Sequence, residues 1–556
     1  MKEMTKPEGK RQKPETRRQK TEDRIVWIIF GLVVVFVYFF GLTIPLLGPD
    51  EPRYAQVARE MFQKNDWITP TLGGFDWFEK PSLLYWLQIV SYQLFGVSEF
   101  AARFGSALFG LGTILSLWIL GRNLTAEDAE SAKENQNSNS ALSTQHSALS
   151  YWLALVSASS IGLLVFSRGA SFDIILTFPI TAALVAFFIF DQSNKKSFTT
   201  YHLPLTAFYF FIGVALLAKG LVGIVFPLAI VAFYFVLSRK LPSKTFIFSL
   251  FWGTILSLLV ASTWYLPMYL RHGWTFIDEF FIKHHFARYA SNKYQHPQPF
   301  WFFWLVLPLM TIPWLPFFLA SMWDFIKIQD SRFKIQDSRF KIQDSRFKIQ
   351  DSNFKAQSQE NSPRLRVSAS PLRLFAFSWL VVPLVFFSFS GSKLPGYILP
   401  ALPAALILTA EYVSRFVQKS RSRKLFVHFI AFAMFVVVVV ILQFFVVSQV
   451  PTETVKPLIE IADANGYTNE KVLNLNTISH SAEFYAANRL VRTDDGKQRR
   501  FFDAAEIVGE MKREDAKSVL VLVPIQYLTQ LTESDLVEAK VLGDNTELAI
   551  VLVRRK

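Results

Sequence analysis

Five short stretches, each lying between apolar runs, concentrate ionisable side chains in this chain. The first opens Gly48-Pro49-Asp50-Glu51-Pro52-Arg53-Tyr54 and closes Trp77-Phe78-Glu79-Lys80-Pro81. The second ends at Asp173, and the third is a single Lys219 between Ala218 and Gly220. The fourth gathers Asp278, Glu279, Lys283, His284, His285, Arg288 and His296, and the fifth contributes Lys393 and Tyr397. A carboxylate such as Asp50 or Asp173 can take a proton, and fixed Lys or Arg can hold an anion. Singly, each has a plainer reading. Asp50 or Asp173 can cap a helix, Lys219 can snorkel to the headgroups, and Tyr397 can anchor at the interface. Two adjacent His on a helix point about 100° apart, so His284 and His285 would rarely share one metal. Five loops sending acids, bases and Tyr to one face together suit an anionic, lipid-borne substrate.

The elements that hold these loops are set by composition. Of 556 residues, 51% are hydrophobic and only 18% charged, with 56 Phe and 14 Trp. A soluble core of this length has no use for so much apolar surface, so lipid must face it. A span needs about twenty mainly apolar residues. Runs of that kind fall near 25–46, 100–121, 150–166, 174–190, 203–217, 221–238, 246–268, 300–323, 373–390, 398–416 and 425–447. The expectation is a mainly α, polytopic membrane protein of about eleven spans, within nine to thirteen. The net charge is +14, with basic clusters at 10–20, 239–244 and 419–424 beside apolar runs, where orientation-setting charges sit. With the N-terminus cytoplasmic, every loop assigned to the inside carries Lys or Arg. The charge-rich loops and the C-terminal segment then lie outside. Basic residues placed this way do not make a nucleic-acid surface. The absence of Cys excludes disulfides, thiolate metal sites and a Cys nucleophile.

The chain divides into a basic tail at 1–24, a transmembrane region at 25–447 and a small extracytoplasmic α/β domain at 448–556. Low-complexity inserts interrupt the transmembrane part at about 123–150 and 325–371. Within the second, 327–354 is four tandem heptads, KIQDSRF three times and then KIQDSNF. In the tail, VLNLN, SVLVLVP and TELAIVLVRR read as strands, and SAEFYAANR and DAAEIVGEMKRE as helices. No motif there carries chemistry.

The strings GPDEPRYAQVAREM, DWITPTLGGFDWFEKPSLLYWLQIVSYQLFGVSEFAARFGSALFG, LLAKGLVGIVFP, FFIKHHFARY and GSKLPGYILPALPA resemble the polyprenyl-phosphate-sugar-dependent glycosyltransferases. That group includes the lipid A aminoarabinose transferase and the protein O-mannosyltransferases, and its shared fold is called GT-C. The resemblance runs from about 25 to 416 and implies roles. Asp50 matches the catalytic acid, with Glu51 beside it, and Asp173 a second functional Asp. Lys80, Arg288 and Tyr397 match residues holding the lipid phosphate, to which the outer-face Lys219 and Lys393 add. Glu79 with His284 or His285 matches a site for a divalent metal (Zn, or Mg/Mn). Two departures stand out: Ser82 replaces a second Pro after Lys80-Pro81, and two His are adjacent in loop four.

The implied reaction moves a sugar from a polyprenyl (undecaprenyl- or dolichyl-type) phosphate to an envelope acceptor: a glycolipid such as lipid A, a polysaccharide or a protein. It would proceed with inversion at the outer face of the cell membrane. The phosphate is already an acceptable leaving group, so fixed cations and one base suffice, and no nucleotide is needed. Neither a P-loop nor a Rossmann fingerprint occurs. The alternative is a polyprenyl-lipid transporter or flippase. That class should show internal repeats and midplane charges, whereas here the charges cluster at the outer ends of the spans.

The heptad insert lies on the side opposite every candidate residue, and lengthening a loop costs only about 0.6 kcal/mol per doubling. Excising 327–354 should leave membrane insertion intact and sugar transfer within a few-fold of the parent, measured on purified protein. Loss of transfer by a normally inserted variant would give the repeats a function.

Overall fold

The computed structural model describes residues 14–134, 140–193, 198–286, 297–327 and 370–556. Three elements begin the chain: α1 (Pro14–Phe39), the shorter α2 (Asp50–Lys64) and a hairpin of β1 (Thr71–Leu72) and β2 (Phe75–Asp76). There follow α3 (Leu83–Phe95), α4 (Glu99–Glu134), α5 (Ser140–Ala158), α6 (Ile161–Phe166), α7 (Phe172–Gln192) and α8 (Phe198–Lys219). Next come α9 (Val222–Ser238) and α10 (Lys244–Ile277), which runs on into a π-helical turn over Asp278–Phe286. After α11 (Phe302–Met310) and α12 (Leu315–Lys327), α13 (Pro371–Ser388), α14 (Leu402–Val417) and α15 (Arg421–Val440) complete the helical part.

Among the described residues, seven helices are long and apolar enough to cross a membrane. The pair α11 and α12, bent by 117° at their junction, makes an eighth if the two count as one broken span. Three further apolar helices, Trp27–Phe39, Leu149–Ala158 and Val222–Ser238, are shorter. The chain is a multi-pass membrane protein. Two expected spans are not single rods. The run at 150–166 breaks at Ser159-Ser160 between α5 and α6, and the run at 300–323 breaks around Pro313. Proline lacks the amide that would continue the helix, and at this break the Ile312 carbonyl accepts from the Ile161 amide at 2.7 Å. The two breaks therefore satisfy each other.

Burial sorts the helices. The apolar windows of α7 and of Pro395–Val417 are 83% buried, whereas those of Lys244–Lys283 and Arg421–Glu453 are 28% and 17% buried. Phe248, Phe251 and Leu270 on α10 point outward. In water, each such side chain would forfeit roughly 1.5–3 kcal/mol, but against lipid tails it forfeits nothing. The two buried helices thus form the centre, and the loops that begin α7 and precede α14 are the ones carrying Asp173 and Tyr397.

The C-terminal segment builds a five-stranded sheet in the order β4-β3-β5-β7-β6, from β3 (Val472–Leu475), β4 (Arg500–Phe501), β5 (Ser518–Pro524), β6 (Val537–Asp544) and β7 (Leu548–Arg555). Strand β3 runs parallel to β4 and β5, while β7 is antiparallel to β5 and β6. Alternation along the strands feeds two cores. Val519, Val521 and Val551 pack with Ile507 and Met511 of α18 (Ala504–Arg513) on one face. Leu520, Leu522 and Ile550 pack with Leu458 and Ile459 of α16 (Lys456–Ala464) on the other. The three strands read from sequence are present, and β4 and β6 are additional. SAEFYAANR forms only the short α17 (Ala482–Tyr485) and a 3₁₀ turn.

Candidate active site

Helix α2 begins abruptly. Asp50 and Glu51 occupy its first turn, but the residue at the cap is Pro49, and no side chain caps the helix. Asp50 is therefore not spent on capping; its side chain is 52% exposed, facing a cavity. Asp173 is likewise in the first turn of α7, and the cap there is Ser171, whose hydroxyl accepts from the Asp173 amide at 3.1 Å. In both places the acid is left for something else.

That cavity has a volume of about 360 Å³. Asp50, Glu79, Lys80, Asp173, Lys219 and Tyr397 all line it, so four of the five candidate loops meet there. The remainder of the wall is apolar, including Val222 and Val225 of α9 and Phe386 and Phe387 of α13. Lys219, the last residue of α8, is ion-paired with Asp173 and sits 4.9 Å above the Tyr397 ring. Gly220 at φ +71° turns the chain straight back into α9, which fixes this lysine at the helix end. Lys80 pairs with Glu79 at 3.0 Å. Asp50 and Glu79 are both 3.8 Å from Arg53, a residue not singled out from sequence although Asp50 and Arg53 have helical i, i+3 spacing. Burial first, then the charges of Glu79 and Asp50, push the Tyr54 phenol far up, so it stays protonated in the wall.

The loop before α14 comes unusually close. A Cβ on Gly396 would run into the Asp173 carboxylate and crowd the Phe166 ring, so a glycine here lets the loop lie close over the carboxylate. That glycine was quoted in the sequence but its role was not legible there, because the contact is long-range.

Three candidates sit elsewhere. Lys393 is buried outside the cavity wall and donates to the Ser390 carbonyl at 2.6 Å and the Gln298 carbonyl at 3.0 Å, tying its own loop down. Its charge is used on backbone. Glu51 points the other way from Asp50, as neighbours on a helix must. It accepts from Arg103 of α4 at 2.7 and 3.0 Å, from the Leu47 amide at 3.1 Å and from the Ala170 amide at 2.7 Å. Arg103 also donates to the Leu42 and Pro45 carbonyls at 3.1 and 3.0 Å. Glu51 is thus a positioning residue joining the loop of Asp50 to the loop of Asp173. Arg288 and His296 lie outside the described residues, and for His284 and His285 only the helical backbone is described.

The side chains of His284 and His285, the expected partners of Glu79 at a metal, lie outside the described residues. The Glu79 carboxylate meets two cations, Lys80 and Arg53. Among the described residues, no three His, Asp or Glu side chains converge as a metal site.

No protein-family model matches the chain. Among curated proteins it is 29% identical, over 398 residues, to one from Aeromonas salmonicida named undecaprenyl phosphate-alpha-4-amino-4-deoxy-L-arabinose arabinosyl transferase; the match covers 69% of this chain and 59% of the relative. A protein of the same name from Yersinia enterocolitica is 29% identical over 406 residues, covering 71% of this chain and 61% of the relative. The chain thus spans about three-fifths of the length of these relatives. Among solved structures, ArnT from Cupriavidus metallidurans bound to undecaprenyl phosphate superposes with a TM-score of 0.72 at 21% identity, over 94% of this chain and 97% of that one. Its apo state gives 0.65. The chain has the ArnT fold, which is the GT-C architecture its sequence resembles.

The Glu51–Arg103 pair makes a testable demand. Burial works against the Glu51 charge, but Arg103 and the Leu47 and Ala170 amides outweigh it and hold the carboxyl below its usual range. A carboxyl lowered in the fold stabilises above its unfolded pKa, and this stabilisation disappears as pH falls through the folded one. Glu51→Gln should therefore destabilise the detergent-solubilised protein at pH 7 by roughly 3–5 kcal/mol, the usual cost of breaking a buried pair. The gap to wild type should narrow once the pH drops below about 4. Thermal melts across pH 3 to 8 would show this, and a constant gap would contradict it.

Proposed function

We propose that this chain transfers a sugar from a polyprenyl-phosphate donor to an envelope acceptor at the outer face of the membrane. One observation carries the reading: a single cavity joins two carboxylates freed from capping, Asp50 and Asp173, to two lysines, Lys80 and Lys219, against an apolar wall. The lysines and the apolar wall suit a polyprenyl phosphate, and a carboxylate can take the acceptor's proton. The named activity of the curated relatives and the undecaprenyl phosphate in the superposed ArnT point the same way.

In this mechanism Lys80, with Arg288 from loop four and Tyr397, holds the donor phosphate. An acceptor hydroxyl attacks the anomeric carbon from the opposite side. The bond from that carbon to the phosphate oxygen breaks, the hydroxyl proton passes to Asp50, and polyprenyl phosphate leaves. The anomeric carbon inverts. Asp173 holds Lys219 in position beside Tyr397. No nucleotide takes part, and no step runs through a metal. The proposed topology has eleven crossings, the eight long ones and the three shorter apolar helices. The N-terminus is cytoplasmic, the transmembrane region ends near 447, and the α/β domain lies outside.

Two variants test it. Lys80→Ala removes a charge-assisted contact worth roughly 1.5–3 kcal/mol, so binding of undecaprenyl phosphate should weaken by about one to two orders of magnitude. Normal binding would misplace the phosphate. Asp50→Asn keeps the shape and removes the base, whose assistance is typically worth about 10²–10⁴ in rate. Transfer from lipid-linked sugar should fall by that order while undecaprenyl phosphate still binds. Wild-type transfer by Asp50→Asn would remove Asp50 from the role. Lipid movement across vesicles with no transfer by either protein would favour a flippase.

A further inference from the structure

The α/β unit is fastened to the helix that starts with Asp50. Arg59 of α2 donates to the Phe484 carbonyl at 3.2 Å and lies 5.5 Å from the Phe484 ring centre. The Tyr485 hydroxyl accepts from the Leu46 amide at 2.8 Å and donates to Glu99 of α4 at 3.0 Å. Lys456 reaches the same carboxylate at 2.7 Å. These contacts with α2, Leu46 and α4 hold α17, and with it the preceding residues 477–481, beside the loop of Asp50.

That loop forms one wall of a second groove, of about 250 Å³. Its other walls are 452–455, where the helical run Arg421–Glu453 ends, and Glu547-Leu548; its floor includes Gly48, two residues before Asp50. The lining is hydroxyl-rich, with Thr452, Thr477 and Ser479, and it carries two carboxylates, Glu453 and Glu547. Both acids are exposed, and neither forms an ion pair among the described residues. His480 stands in the same groove and feels the charges of both Arg53 and Asp50. Its partial burial, and then Arg53, lower its pKa, so the ring is neutral at pH 7 and can both donate and accept a hydrogen bond.

We propose that this groove is the acceptor subsite, binding the carbohydrate headgroup of a glycolipid and delivering its hydroxyl to Asp50, with His480, Glu453 and Glu547 as specificity residues. Hydroxyls, carboxylates and a neutral imidazole match a polyol, and the two carboxylates would repel a second phosphate. The groove also begins where an apolar helix ends, so a lipid acceptor can keep its chains in the bilayer while its headgroup enters. Donor and acceptor would then come to Asp50 from separate clefts, the apolar cavity that Asp50 lines and the groove that Gly48 lines.

The proposal rests on the transferase reading, and its test separates the two. The probes are a glycolipid extract and a delipidated envelope-protein fraction from a strain lacking this protein, with lipid-linked sugar from the same strain. Transfer by the purified full chain is measured against extract concentration for wild type, His480→Ala and the double variant Glu453→Gln/Glu547→Gln. Binding of undecaprenyl phosphate and thermal melting are measured alongside. The half-saturating extract concentration should rise about tenfold or more in both variants. Maximal transfer, undecaprenyl phosphate binding and melting should stay within two-fold or a few degrees. Wild-type half-saturation in both variants would overturn the subsite alone, as would lower maximal transfer at unchanged half-saturation. Transfer only to the protein fraction would overturn the glycolipid occupant. A wild-type chain that binds undecaprenyl phosphate yet transfers to neither fraction would overturn the transferase reading and the subsite with it.

Discussion

The buried pair of Glu51 and Arg103 is the contact on which the outer face depends. One carboxylate gathers a guanidinium from α4, the amide of Leu47 and the amide of Ala170. One guanidinium gathers that carboxylate and the carbonyls that follow α1. Neither ion could be buried alone, because an unpaired charge in low dielectric costs several kcal/mol. Together they leave few bonding groups unspent, and they lock three segments that are far apart in sequence. The position of Asp50 relative to the start of α7 follows from this lock, since Asp50 precedes Glu51 by one residue and Ala170 precedes Asp173 by three.

The cavity obeys the same accounting with a different result. Among the described residues, Asp50, Glu79 and Asp173 face Arg53, Lys80 and Lys219. Pairing of this kind is what an apolar-walled cavity at a membrane surface can tolerate. It also means that, on the proposed function, a phosphate arrives at ammonium groups already paired. Affinity is then the difference between the new pair and the old one, which favours a ligand whose chain also covers the apolar wall. Specificity for a lipid-borne phosphate over a free one follows from that difference.

Much of this was legible in the sequence, for physical reasons that also mark where it stopped. Apolar runs announce spans because the bilayer demands twenty such residues at a stretch, and α7, α10 and α14 lie where their runs do. The bend between α11 and α12 was not legible, because it depends on Ile161 supplying an amide from another helix. The β1–β2 hairpin was readable in principle from Gly73-Gly74, whose φ values of +62° and +86° are those a tight hairpin turn requires. Among site residues, Asp50, Lys80, Asp173, Lys219 and Tyr397 come together as their loops suggested. Glu51 and Lys393 were indistinguishable from them by type and spacing, since a one-residue step around a helix, or a nearby carbonyl, decides where a charge goes.

The α/β segment shows the limit most clearly. It holds no catalytic motif, and reading it for motifs alone left it without a role. What gives it one is attachment. Residues 477–481 are ordinary loop residues until α17 is docked on α2 through Arg59, Tyr485 and Glu99. That docking brings a hydroxyl-lined groove to Gly48 and, through it, to the first turn of α2. The two proposed substrates differ in the same way as the two lobes. The donor's recognised part is an anion on a long apolar chain, and the membrane lobe offers cations on an apolar wall. The acceptor's recognised part is a polyol, and the α/β lobe offers hydroxyls and carboxylates. Asp50 lines the donor cavity and lies two residues from Gly48 in the groove, the place where the proposed reaction needs a proton acceptor.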